Sequence, residues 1–584
     1  MLLRVLAVCC LVGCAHDALA ARVEIPLRVS LDTLGEALGA QLVPYRDGRC
    51  RYLDLQAPKL EFAQGRLRLV APGTGSLALE IAGKCQGTAW KGTIHLALVP
   101  YIEDGARLRL RVVDSRVVDA SGGLGPLLWD AAKQHIHARL ERFAYDLGAS
   151  RNALAELLRS AAPPSHAAAI EESLRQMAML APRPEPGQVV VPIALEVPDA
   201  WLAAAPAAVS PAPLTEAELE ALEQALEPWD AFLVYVVRQM ALDGEDDAVR
   251  KRLFTLLLDS RYQLAAILAG ESAPPGNPVR ELFLEAWNEL RAILVETKRH
   301  ALFFDAADAL AALEAAAPGL PLSPEGLRRL ARNLRPDDTG NPLAYDWALD
   351  RELGRLFGVE SIPEGDPAPA APPTRSWLDF FIPRAHADSP LDRWVPTHSE
   401  FAAYEARIGS VLQKIATAEL QRTNLPSPYD AIYAHLVPTT ALIESCWRQY
   451  VVRGGKVTYL RSHSGSVGIM QINQRVWRGF YDIERMRWDT AYNVRAGTQI
   501  LLRYLKDYAI PYAERTGDPD HAPRAAYAVY NAGPKAVGRF AKSPPHPREA
   551  RVDQKLWTLY QAIAEGGQVD LATCGVKQAR AATR

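Results

Sequence analysis

Apolar and polar positions alternate through the first part of this chain. Leu67/Leu69, Leu77/Leu79/Ile81 and Leu108/Leu110/Val112 recur at every second position, with arginines between the last three and Gly and Pro turns separating the groups. That period predicts strands from about residue 22 to 120. From Pro126 the spacing lengthens to three or four, and Leu128, Ala132, Ile136, Leu140, Phe143 and Leu147 fall on one helix face. A further strand, Val189 to Val197, follows the Pro-rich bend at 182–187. From Leu214 the pattern is helical: Thr215-Glu216-Ala217-Glu218 forms a capping box, and helical runs continue to about Phe357 with Pro/Gly turns between them. Prolines 363, 367, 369, 372 and 373 among alanines then predict an extended, semi-rigid spacer, with the aromatic cluster Trp377–Phe381 inside it.

These shifts predict a multidomain chain, as expected of 584 residues, which are too many for one core. An α+β accessory domain spans 22–213 and an α-helical domain 214–358. A Pro/Ala-rich linker follows at 359–390, then a mainly α domain at 391–575 and a short tail at 576–584.

The N-terminus reads as an export signal over residues 1–20. Arg4 precedes the apolar run Val5–Gly13, and Ala18-Leu19-Ala20 precedes a cleavage point at Ala21. Leu11-Val12-Gly13-Cys14 offers a competing reading, because it resembles the lipobox of a bacterial lipoprotein, in which Cys14 is lipidated. Ala15 behind it would then favour the outer membrane. The apolar run is too short to span a bilayer. Either reading exports the chain, to the periplasm or to the outer membrane through Cys14. Four of the seven cysteines lie beyond the signal region, as one early and one late pair. In an oxidising compartment Cys50–Cys85 and Cys446–Cys574 are the natural local pairings, although four cysteines allow three connectivities.

Hydrophobic content of 49% and charged content of 23% place the chain among ordinary globular proteins. A net charge of -3 provides no strong field for recruiting nucleic acid, and no basic-aromatic stripe is present. There is no phosphate-cradling Gly loop and no metal-ligand spacing among the 12 histidines, so neither metal nor cofactor is expected.

Candidate chemistry is confined to three segments near the C-terminus. Glu444 lies between Ala441-Leu442-Ile443 and Ser445-Cys446-Trp447, an apolar setting that raises a carboxyl pKa and so suits a general acid near neutral pH. Gly465-Ser466-Val467-Gly468 permits close backbone approach to a ligand, and Met470-Gln471 places an apolar contact beside an amide that can both donate and accept. Ala525 to Tyr530 is an apolar run that Gly533 in a left-handed cap and Pro534 would end, leaving Tyr530 and Asn531 at a helix end facing a cleft.

Glu444-Ser445, then Ser462 to Gln471, then Val529-Tyr530-Asn531-Ala532-Gly533-Pro534 resemble the motifs of the soluble-lytic-transglycosylase (SLT) domain family, which has a lysozyme-like fold. Tyr492-Asn493-Val494-Arg495-Ala496-Gly497 resembles that family's Asn-x-x-x-Gly helix start. Ser466 and Val529 each replace a family alanine, and Gln471 falls several residues later after Glu444 than the family pattern has it. The added segment, Arg448 to Arg461, predicts a hairpin over the cleft. Pro438 predicts that the helix carrying Glu444 starts or kinks there.

The resemblance implies a lytic transglycosylase acting on peptidoglycan glycan strands. Its catalytic residue would be Glu444, and its substrate-binding residues Ser445, Ser466, Gly468, Met470, Gln471, Asn473, Tyr530 and Asn531. No second carboxylate stands in a motif position, which fits cleavage by a single acid. Two alternatives remain at this point: a hydrolytic muramidase, with Asp482 or Asp489 as the second acid, and a non-catalytic wall-binding protein.

Overall fold

The structure, a computed structural model, describes residues 19–41, 44–119, 125–161, 164–202, 216–243, 246–270, 278–294, 307–308, 311, 323–335, 340–362, 391–567, 571 and 574. Cys14 and nearly all of the export signal, residues 363–390 of the linker with the aromatic cluster, and the tail lie outside the described residues. The contacts gather the chain into two compact units. The first comprises Met1–Val209, Pro275–Trp287 and Leu294–Gly340, and the second Ser210–Pro274, Asn288–Ile293 and Asn341–Arg584. No helix among the described residues is long and apolar enough to cross a membrane.

The first unit is built from β1 (Leu19–Ser30), α1 (Leu31–Gln41), β2 (Tyr45–Asp47), β3 (Arg51–Leu55), β4 (Lys59–Ala63), β5 (Arg66–Ile81), β6 (Lys84–Glu103) and β7 (Arg107–Asp119). Then come α2 (Gly125–Arg142), β8 (Ala144–Asp146), α3 (Gly148–Ala161), α4 (Ala167–Arg175), β9 (Ala178–Met179), β10 (Arg183–Glu185), β11 (Gln188–Pro198) and α5 (Asp199–Leu202). One antiparallel sheet runs β2-β3-β5-β6-β7-β8 with β4 beside β5, and a smaller sheet pairs β1 with β11. The period-two pattern decides which face is inside: Leu67, Leu69, Ile94, Leu96, Leu98, Leu108 and Leu110 are buried, and α2 closes that face with Leu128, Ala132, Ile136 and Leu140. Leu79 and Ile81 keep the same period but are 59% and 51% exposed. They lie near the tip of the long β5–β6 ribbon, whose neighbouring residues on β6 are also exposed. Cys50 and Cys85 form a disulfide there.

The middle region supplies α6 (Glu216–Asp243), α7 (Asp247–Leu268), α8 (Pro278–Leu294), α9 (Pro324–Leu334) and α10 (Arg351–Leu356). The sequence predicts a helical domain over 214–358, whereas the contacts divide this region: α6, α7 and α10 fall in the second unit and α9 in the first. The physical reason is a buried charge cluster. Arg261 on α7 donates to both oxygens of Asp230 on α6 (2.8 and 3.1 Å) and to the backbone oxygens of Val476 and Arg478 (3.1 and 2.9 Å). Arg478 in turn donates to Asp230 Oδ2 (3.0 and 2.5 Å). Burial works against the Asp230 charge, yet the two guanidiniums outweigh it and hold the carboxyl at about 2. Such a cluster persists only while all three partners are in place. Around it Phe254, Phe357, Trp477, Phe480 and Tyr504 pack ring to ring.

The rest of the second unit is mainly helical: α11 (Phe401–Thr423), α12 (Tyr429–Ser445), the short pairs β12 (Tyr450–Arg453) with β13 (Lys456–Tyr459) and β14 (Ser466–Val467) with β15 (Ile472–Asn473), then α13 (Gln474–Trp477), α14 (Ile483–Trp488), α15 (Thr490–Tyr504), α16 (Ile510–Thr516), α17 (His521–Ala532) and α18 (Pro547–Ala564). Pro438 does not start α12, which runs through it. The chain then leaves the helix at Cys446 and Trp447, both in the left-handed region with φ of +53° and +57°. That costly turn is fixed by Trp447 Nε1 donating back to Pro438 O (2.9 Å) and by the Cys446–Cys574 disulfide.

Candidate active site

Glu444 occupies the last turn of α12, next to that turn. Its side chain is partly exposed to a cavity of about 510 Å³, a volume that accommodates a small ligand or sugar units. Tyr527 on α17 donates its hydroxyl to Glu444 Oε1 (2.7 Å). Burial raises the Glu444 carboxyl from 4.5 to about 7, with the Tyr527 hydrogen bond and the charges of Lys555 and Arg539 pulling the other way. Tyr527 itself is pushed well above 10 by burial and by the Glu444 charge, so the phenol stays neutral and donates. The site therefore holds a carboxyl that exchanges its proton near neutral pH, with one oxygen fixed by a neutral donor.

The segment 467–470 beside it is fixed by hydrogen bonds from every side. Ser445 Oγ donates to Ile469 O (2.6 Å), and Ile469 N donates to Gln449 Oε1 (2.7 Å). Met470 N donates to Asn493 Oδ1 (2.9 Å), and Met470 O accepts from Tyr530 (2.7 Å). Gly468 makes this possible at φ +76°, since a Cβ there would lie 2.3 Å from Asn493 Nδ2 and 2.5 Å from Gln449 Oε1. The Asn493–Gly497 helix start thus serves to hold this segment.

Of the sequence-predicted binding residues, Ser466, Gln471, Asn473, Tyr530 and Asn531 line the cavity with Glu444. Ser445, Gly468 and Met470 do not; Ser445 and Met470 are buried, and Met470 packs in the core rather than offering its side chain to a ligand. Arg448 to Arg461 does form the predicted hairpin, but none of its residues line the cavity. Gly533 does not take the left-handed cap; it adopts φ +88° with ψ 172°, a glycine-only region, and a Cβ there would meet the Tyr262 ring at 2.8 Å. Asp482 and Asp489 accept from the backbone at the starts of α14 and α15 and lie off the cavity lining. The second carboxylate on the lining is Glu549, in the first turn of α18.

Several lining residues carried no sequence signal. Tyr262, Ala265 and Ala266 of α7 form part of the wall. The Tyr262 hydroxyl donates to Tyr530 O (3.0 Å) and shares a hydrogen bond with the Tyr504 hydroxyl (3.1 Å). Trp477 and Arg539 complete this group. In the sequence Tyr527 is one residue of an apolar run; its spacing of three from Tyr530, which puts both on one helix face, is the clue to its place.

A mainly helical region thus encloses a cleft with one carboxyl poised near neutrality. Comparison with known families agrees: residues 430–551 match the family model described as Transglycosylase SLT domain. The C-terminal part of the chain therefore carries an SLT domain, and the motifs from Glu444 to Pro534 all fall inside the matched span. No curated protein and no solved structure matches the chain.

Proposed function

We propose that this protein is an exported lytic transglycosylase that cleaves peptidoglycan between N-acetylmuramic acid and N-acetylglucosamine, with Glu444 as its acid and base. The observation that carries this reading is the Glu444 carboxyl, raised to about 7 and held by Tyr527 in a cleft inside an SLT domain. The domain match favours peptidoglycan as substrate and hence action outside the cytoplasm, at the periplasm or on the outer membrane through Cys14.

Tyr527 fixes Oε1, so Oε2 is the oxygen that carries the transferable proton. Glu444 donates it to the bridging oxygen, the bond from that oxygen to muramyl C1 breaks, and the electron pair leaves with N-acetylglucosamine. The substrate's own N-acetyl oxygen closes on C1 and holds the positive charge there, which removes the need for an enzyme nucleophile. The Glu444 carboxylate then takes the proton of the muramyl 6-hydroxyl, whose oxygen displaces the N-acetyl oxygen from C1. A 1,6-anhydro ring forms without water, and proximity of the hydroxyl favours it. Ser462, Ser464, Gln471 and Asn531 supply polar groups for sugar hydroxyls, and Tyr530 contributes to the wall beside them.

One observation favours a second reading, a hydrolytic muramidase: Glu549 also lines the cavity. Full-length protein, Glu444→Gln and Glu549→Gln, each incubated with purified peptidoglycan and analysed by mass spectrometry, separate the two. The transglycosylase reading expects anhydromuramic ends from wild type and Glu549→Gln, and no products from Glu444→Gln. Reducing ends that vanish with Glu549→Gln would establish hydrolysis instead.

A further inference from the structure

Arg539 follows α17 and lines the same cavity, yet it is only 5% exposed. A guanidinium carries five N–H donors. Here Nη2 donates to Asn531 Oδ1 (2.8 Å), and the buried Nε has no hydrogen-bond partner among the described residues. No carboxylate pairs with it: Asp553 is engaged by Arg524 (3.1 and 2.5 Å), and Glu549 and Glu444 act on Arg539 only through their charge. Burying a cation with one neutral acceptor is costly unless an anion joins it. Arg548, exposed on the same cavity, adds a second positive charge there.

We propose that Arg539 is the carboxylate-binding residue of this cleft, and that it selects muramyl units bearing a free carboxylate. The proposal rests on the peptidoglycan reading above and goes beyond it. A glycan of N-acetylglucosamine alone has no anionic group for a buried guanidinium, whereas peptidoglycan offers two kinds. One is the lactyl carboxylate, exposed once the stem peptide has been removed, and the other is a carboxylate of a retained stem peptide. Both make the same charge-assisted, bidentate pair with Arg. Asn531 orients the guanidinium from one side.

The test uses the full chain on four substrates: intact peptidoglycan, the same with its peptide carboxylates amidated, amidase-stripped glycan, and stripped glycan with its lactyl carboxylates amidated. Loss of one charged hydrogen-bonded pair corresponds to about a ten- to hundredfold rise in KM. Wild type is expected to show that rise on amidation of one substrate pair: the stripped glycan if the lactyl group is the ligand, the intact peptidoglycan if the stem peptide is. Arg539→Met should abolish the discrimination, Arg539→Lys should keep part of it, and kcat should change less than KM. Binding of neutral N-acetylglucosamine oligomers should fall less in Arg539→Met than binding of the carboxylate-bearing substrate. Equal KM values across all four substrates with wild type would overturn the proposal, and that comparison requires no variant to fold. Equal losses by Arg539→Met on charged and neutral substrates would overturn it too. Absence of any cleavage by wild type would instead count against the transglycosylase reading itself.

Discussion

Tyr527→Phe removes the Tyr527 hydrogen bond to the Glu444 carboxyl and leaves the ring that packs beside it. The 2.7 Å bond favours the carboxylate over the acid, so it lowers a pKa that burial raises to about 7. A hydrogen bond to a charged group contributes about 1.5–3 kcal/mol, and each pH unit corresponds to about 1.4 kcal/mol. Water in the cleft recovers part of that loss in the variant, which leaves an upward shift of about one pH unit. The free enzyme must carry the proton for the first step, so kcat/KM should fall as pH rises through the Glu444 pKa. The assay is release of soluble muropeptides from labelled peptidoglycan between pH 5 and 10 (roughly the range that brackets both limbs). Wild type should lose activity with a midpoint near 7, and Tyr527→Phe about one unit higher, with a lower maximum because Oε1 is no longer fixed. A limb that stays in place or moves to lower pH would refute the assignment of the donor, the acid or both.

Four further outcomes follow from the same geometry. Glu444 has a folded-state pKa above its unfolded value of 4.5, so the folded protein binds the extra proton between 4.5 and about 7 and loses that stabilisation as pH rises through the window. Glu444→Gln should therefore unfold later than wild type above pH 7, by about 1–3 kcal/mol after allowing for cleft solvent, with no difference below about pH 4; denaturant unfolding at both ends checks it. Asp230→Asn leaves the buried Arg261 with no carboxylate and Arg478 with Glu227 alone, and should cost about 3–5 kcal/mol, measured as a lowered midpoint with loss of cleavage through displacement of Trp477. By the same logic a fragment of residues 391–584 lacks Asp230, Arg261 and Tyr262 and should cleave far less than the full chain in parallel digests. Reducing the Cys446–Cys574 disulfide opens a loop of 128 residues next to Glu444 and should destabilise the unit by about 4–5 kcal/mol on the chain-entropy account, read from thermal midpoints with and without reductant.

What the sequence made legible is what has a short-range period or a motif. The strands around Leu67/Leu69 and Leu108/Leu110 and the helix face from Leu128 to Leu140 follow from local spacing, and both recur as buried faces. Glu444, Gln471 and Tyr530 stand in motifs whose spacing brings them to one cavity. Met470 was misread because an apolar side chain beside a ligand-binding amide looks the same in sequence whether it faces the cleft or the core. Leu79 and Ile81 keep the alternating pattern past the point where α2 covers the sheet, so period alone could not show where burial stops. The second unit was not legible as a whole because Asp230 and Arg261 meet Arg478 across more than two hundred positions, and isolated charges in helical runs read as solvent-facing. Arg539 has no motif around it either; only its burial with an unpartnered nitrogen distinguishes it.

The most direct test of the central claim is digestion of peptidoglycan by the full chain in water enriched in heavy oxygen, followed by mass spectrometry of the new ends. Intramolecular closure predicts anhydromuramic ends that lack solvent oxygen and are one water lighter than hydrolytic products, with none formed by Glu444→Gln. Reducing ends that each carry one heavy oxygen would contradict the account and make Glu444 the acid of a hydrolase.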